Sequence, residues 1–84
     1  MSNKLFVGSL PWSVDDQGLQ ELFASHGEIV SARVVTDRES GRSRGFGFVE
    51  YNDEATAQTA LEAMNGAEVE GRTISVDFAR PQQG

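Results

Sequence analysis

Arg44-Gly45-Phe46-Gly47-Phe48-Val49-Glu50-Tyr51 is the stretch whose reading decides the fold. Side chains of a strand alternate with a period of two. Arg44, Phe46, Phe48 and Glu50 therefore share one face, and Gly45, Gly47, Val49 and Tyr51 share the other. The face that carries Arg44 and Glu50 belongs in water, which leaves Phe46 and Phe48 as exposed rings beside a cation. The rest of the chain must then build a sheet that is covered on one side and open on the other.

Upstream, Lys4-Leu5-Phe6-Val7-Gly8 alternates and reads as a first strand, broken by Leu10-Pro11-Trp12. Ser13, three residues before Asp16, predicts a helix start with Asp15 and Asp16 in the first turn. Leu19, Leu22 and Phe23 form its inner stripe, and Gly27 suits its stop. Gly18 inside that helix has no reason visible in the sequence. Ile29 to Thr36 is rich in β-branched residues and reads as a second strand. Asp37 to Ser43 is a polar connector, too long for a tight hairpin turn. Downstream of the third strand, Asn52 or Asp53 caps a second helix whose stripe is Ala57, Ala60, Leu61 and Met64, closed by Asn65-Gly66. Arg72 to Ala79 reads as the last strand, with Ile74, Val76 and Phe78 on one face and Thr73, Ser75, Asp77 and Ala79 on the other.

The order βαββαβ predicts an α+β fold: a four-stranded antiparallel sheet with two helices on one face. The polar members of each strand mark the open side. Lys4, Phe6 and Gly8 fall there with Arg44, Phe46 and Phe48, and with Ser75 and Asp77. Arg33 and Val35 of the second strand widen it. Gly45 and Gly47 fall on the covered side, where the missing side chains would let a helix come close. Phe78 reads as core, and Trp12 as a cover over the strand-to-helix turn.

Every base has a π-face, so rings on an open sheet suit stacking by single-stranded nucleic acid, and Arg44 suits a phosphate beside the stacked bases. The net charge of −6 runs against such a partner. Position matters more than the sum. Asp15, Asp16, Glu21, Asp53, Glu54 and Glu62 lie in or beside the helices, whereas Lys4, Arg33, Arg38, Arg42, Arg44, Arg72 and Arg80 lie in or beside strands. Helices on one side of a sheet would separate the two signs.

With 84 residues there is room for one small domain, expected over 3–80, with 81–84 as a flexible end or the stub of a longer tail. An apolar share of 38% and a charged share of 24% suit a soluble globular chain. There is no cysteine and one histidine, His26, so disulfides, thiolate metal sites and histidine clusters are excluded, and no cofactor is expected. No apolar run could span a bilayer, and no leader resembles a signal peptide. The lack of cysteine fits a reducing compartment. The cytoplasm is the first expectation, with nucleus or plastid as alternatives.

Residues 44–51 fit every position of the octamer of the RNA recognition motif, and Leu5-Phe6-Val7-Gly8-Ser9-Leu10 resembles its companion hexamer, with Ser9 where the family often has Asn. The resemblance runs from about Asn3 to Arg80. It implies a ferredoxin-like sandwich that binds single-stranded RNA, and single-stranded DNA as a further possibility, as a monomer without a membrane. It also implies site residues. Phe6 and Phe46 would stack on bases, Phe48 would lie against a sugar or base, and Arg44, with Lys4 and Arg33, would meet the backbone. The exit Asp77-Phe78-Ala79-Arg80 would supply main-chain contacts to base edges, and a flexible Arg38–Ser43 loop could clamp the strand.

An enzyme is not expected. No histidine pairs with a nucleophile, and the carboxylates lack an apolar setting. The same fold serves an acylphosphatase-like hydrolase, but Gly8-Ser9-Leu10-Pro11 supplies no arginine for its phosphate loop. The remaining alternative is a protein-interaction or dimerisation module that uses the same open face.

Overall fold

β1 covers Lys4–Gly8, buries Leu5 and Val7, and turns Lys4 and Phe6 to the other side, as the alternation requires. The computed structural model describes residues 3–79, so Arg80 and the expected tail at 81–84 lie outside the described residues. After β1 come α1 (Asp16–Ala24), β2 (Ile29–Thr36), β3 (Ser43–Tyr51) and α2 (Glu54–Met64). Two short strands follow, β4 (Glu68–Val69) and β5 (Arg72–Thr73), and then β6 (Ser75–Phe78). β1, β2, β3 and β6 make one antiparallel sheet in the order β2-β3-β1-β6. Both helices pack on the face that carries Leu5, Val7, Val49 and Tyr51, which gives the expected ferredoxin-like sandwich. Two layers account for a slab of 35 × 34 × 18 Å.

The helices start at aspartates. The Asp15 carboxylate accepts the Gly18 N–H at 2.8 Å, so Asp15 caps α1, not Ser13. The Ser13 hydroxyl instead donates to Glu70 Oε1 at 2.8 Å. This cap also accounts for Gly18, where a Cβ would stand only 3.2 Å from Asp15 Oδ1. Asp16 has a different task. Its Oδ1 accepts the Val34 N–H at 2.7 Å and pins the first turn of α1 to β2. Asp53 caps α2 through the Thr56 N–H at 2.7 Å. That N–H, aided by the Thr56 hydroxyl, holds the Asp53 carboxyl below its usual pKa. At the far end of α2, Asn65 Oδ1 accepts the Val76 N–H at 3.0 Å and ties the helix to β6.

The last strand is shorter than its alternation suggested. Glu70 and Gly71, with φ of 50° and 85°, form a left-handed turn that folds Glu68–Val69 against Arg72–Thr73 as a separate small hairpin. Only Ser75–Phe78 joins the main sheet, against β1. The face assignment survives the break: Ile74 and Val76 are buried, Phe78 packs on the core, and Ser75 and Asp77 are exposed.

Tyr51 closes the core. It is fully buried, and its hydroxyl donates to the Phe23 carbonyl at 2.6 Å, joining β3 to the end of α1. Burial pushes the phenol pKa up from 10.0 to about 12. The neutral phenol is the form the fold favours. Its contribution is complete below the unfolded value near 10 and is lost as pH rises through about 12. Tyr51→Phe is expected to cost about 1 kcal/mol at neutral pH. The cost stays modest because the Phe23 carbonyl keeps the His26 N–H at 3.2 Å. Urea midpoints followed from pH 8 upward should fall more steeply in the parent chain than in the variant. Parallel curves would show that the buried phenol is not what titrates.

Candidate nucleic-acid interface

The uncovered face is ordered in rows by the register of the strands. Asp77, Phe6, Phe48 and Arg33 are cross-strand partners in sequence across β6, β1, β3 and β2. One row away, Ser75, Gly8 and Phe46 are partners, and on the other side Lys4 faces Glu50, which faces Ser31. The three phenylalanines thus meet on two central strands. Phe6 lies 5.6 Å from Phe46 and 5.7 Å from Phe48, centroid to centroid, and Phe46 stands edge-on to Phe48 at 6.3 Å. No helix covers them. They are half-buried rather than bare, because each ring shelters its neighbours and so holds the others' orientation. The Lys4 ammonium sits 5.3 Å from the Phe48 centroid, within cation–π range.

The cations stand at the margins. Arg33 and Arg44 are exposed, Arg33 beside Phe48 in the row and Arg44 at the start of β3. The connector from Asp37 to Arg42 closes on itself through its own hydrogen bonds. Asp37 accepts the N–H groups of Glu39 and Ser40 on its side chain, at 2.8 and 3.2 Å. Its own N–H donates to the Arg42 carbonyl at 2.7 Å, and Gly41 donates back to Asp37 O at 2.8 Å. The Glu39 and Ser40 amides hold the Asp37 carboxyl below its usual pKa, and the nearby Arg44 charge adds to this. Arg44 is therefore within electrostatic reach of an anion of the chain itself.

The two glycines of β3 play separate parts. At Gly47 a Cβ would run into the Arg33 carbonyl oxygen and would stand 3.0 Å from Leu19 Cδ2, so this glycine does permit α1 to close on the sheet. Gly45 does not: a Cβ there would meet only the Leu10 carbonyl, at 3.8 Å. Its φ of 86° marks instead a bulge where the β2–β3 register shifts, and its carbonyl accepts the Leu10 N–H at 2.8 Å. Trp12 is 71% exposed and borders an open groove together with Val14 and Asp15 of the turn into α1 and Val34 and Thr36 of β2. The alternation of strands carries no signal for a residue in a loop. At the exit of β6 the Ala79 N–H is already committed to the Lys4 carbonyl at 2.9 Å.

Among the described residues no cluster of histidine or acidic side chains could hold a metal ion, and no helix is long and apolar enough to cross a membrane. A half-covered sheet with clustered rings and marginal cations offers flat π-faces and positive charge on one surface. The chain belongs to the RNA recognition motif family, whose model matches residues 5–75.

Glycine-rich RNA-binding protein 2, mitochondrial, of Arabidopsis thaliana is 53% identical over 94% of this chain and 50% of its own length. Among solved structures, the Sxl-lethal protein/RNA complex superposes with a TM-score of 0.93 at 32% identity, over 99% of this chain and 50% of that one. RNA Binding Protein PG1 matches at 46% identity with a TM-score of 0.89, over 96% of this chain and 100% of that one. The chain spans between 25% and 58% of the length of such curated relatives, most of which are mitochondrial or chloroplastic by name.

Proposed function

We propose that this chain binds single-stranded RNA across its uncovered sheet. The observation that carries the reading is the cluster of Phe6, Phe46 and Phe48 on the two central strands, on the face that no helix covers. The rings take two or three bases by stacking, as the family resemblance implies for Phe6, Phe46 and Phe48. Lys4, Arg33 and Arg44 attract the backbone. Asp77 and Ala79 lie at the exit of β6, where Ala79 has its carbonyl to offer, and Arg80, next in the chain, adds a charge that the family resemblance assigns to binding. Residues 3–80 act as one binding module without catalytic chemistry and as a monomer. Stacking does not distinguish ribose from deoxyribose, so single-stranded DNA is a weaker alternative ligand. The chain works in a reducing compartment, the cytoplasm or, as the names of its relatives suggest, an organelle.

The test is a salt titration of a fluorescent oligouridine. If three cations meet phosphates, the log–log slope of the association constant against salt is about −2. A slope near zero would remove the backbone contacts from the proposal. Self-association on gel filtration that oligouridine fails to compete away would favour protein docking on the same face.

A further inference from the structure

The central row of the open face runs from an acid to a cation: Asp77, Phe6, Phe48, Arg33. A nucleotide stacked on Phe6 has two ends, an anionic sugar-phosphate and a base edge. An exposed carboxylate repels the first, and the exposed guanidinium at the far end attracts it. The base edge is thereby directed toward β6.

What β6 presents there is built of acceptors. Asp77 is the cross-strand partner of Phe6, and its Oδ1 accepts the Phe78 N–H at 2.8 Å, which biases the orientation of the exposed carboxylate; among the described residues no donor meets Oδ2. Ser75 is the partner of Gly8. The point where a Gly8 Cβ would stand is 3.0 Å from Ser75 Oγ and 3.1 Å from Phe6 Cε1, so the hydroxyl and the ring edge border the same space above Gly8. The absence of a side chain at Gly8 is what lets the two approach.

We infer that Asp77, with Ser75 beside it, reads the base stacked on Phe6 and selects guanine over uracil there. This rests on the RNA-binding reading above. A carboxylate only accepts hydrogen bonds. Guanine offers two adjacent donors on its pairing edge, N1–H and the N2 amino group. Uracil offers a single N–H between two carbonyl oxygens, which a carboxylate repels. Pairs of charge-assisted hydrogen bonds to a base edge are strong enough to set a preference of about tenfold or more.

The experiment measures anisotropy of the full chain with an oligouridine nonamer and with the same nonamer carrying one central guanosine or one central inosine, which lacks the N2 amino group. Guanosine should tighten binding about tenfold and inosine by less. Asp77→Asn, which puts a donor in place of one acceptor oxygen, should bring the ratio of guanosine to oligouridine affinity close to one, the readout being that ratio within the variant and not its affinity for oligouridine alone. Ser75→Ala should reduce the advantage in part. Two results would overturn the inference and leave RNA binding standing: equal affinity of the parent chain for all three oligonucleotides, or a gain from Asp77→Asn that is the same for each. Failure of every oligonucleotide to bind would overturn the RNA-binding reading and the inference with it.

Discussion

Replacing Phe46 and Phe48 together with alanine is expected to weaken single-stranded RNA binding by about 100-fold or more, since each base–ring stack contributes about 1–3 kcal/mol and each 1.4 kcal/mol is tenfold. The two rings are also two sides of a triangle with Phe6, at 5.6 and 5.7 Å from it. Their removal frees Phe6 to turn, so the third stack suffers as well. The fold should survive. The rings lie opposite the core of Leu5, Val7, Val49 and Tyr51, and what is lost from stability is their mutual contact, about 0.5–1.5 kcal/mol per pair. All three ring pairs go, so circular dichroism should show a folded variant whose melting temperature is lower by about 6 °C or more, while anisotropy shows no saturable binding. Undiminished affinity in that folded variant would remove the rings from the account.

Gly47→Ala is expected to act in the opposite way, through the fold. The new methyl meets the backbone carbonyl of Arg33, and stands 3.0 Å from Leu19 Cδ2 and 3.1 Å from Val34 Cα. Backbone cannot swing aside as a side-chain tip can. Overpacking of this kind costs about 3 kcal/mol. A domain of this size loses about 4–8 °C per kcal/mol, so the melting temperature should fall by more than about 10 °C. RNA affinity should return on cooling, because the ring face itself is untouched. A melting temperature within a degree or two of the parent would show that α1 can back away from β3 at no cost.

The two substitutions sit one residue apart, and that proximity explains what the sequence could and could not disclose. Alternation within β1 and β3 placed Phe6, Phe46 and Phe48 on one face and Leu5, Val7, Val49 and Tyr51 on the other, because a residue's parity in a strand is a local property. The stripes Leu19, Leu22, Phe23 and Ala57, Ala60, Leu61, Met64 did the same for the helices. Gly45 and Gly47 look alike in that pattern, yet one turns a bulge and the other admits a helix. Only the neighbour across the gap distinguishes them. Asp15 and Ser13 are both good capping residues, and the geometry of the loop chose between them. The Glu68–Thr73 hairpin escaped notice because its turn needs a left-handed Glu70, which few non-glycine residues adopt. Nothing local in the sequence says how far a loop side chain such as Trp12 finds a cover, and it is left 71% exposed. Asp77 was placed on the correct face, but its tether to the Phe78 amide, which makes it a fixed group, depends on backbone detail that periodicity does not carry.

The strand order has one more effect. β1 and β3 are the interior members of the sheet, each flanked on both sides, while β2 and β6 form its borders. Amide protons of doubly flanked strands exchange slowest, generally only when the whole domain opens. The three rings therefore ride on the doubly flanked strands, and under the proposed RNA binding the freedom surrendered on association belongs mostly to the incoming polynucleotide. Warming should loosen the complex gradually through the RNA's own entropy, with no abrupt loss until the domain melts as a unit.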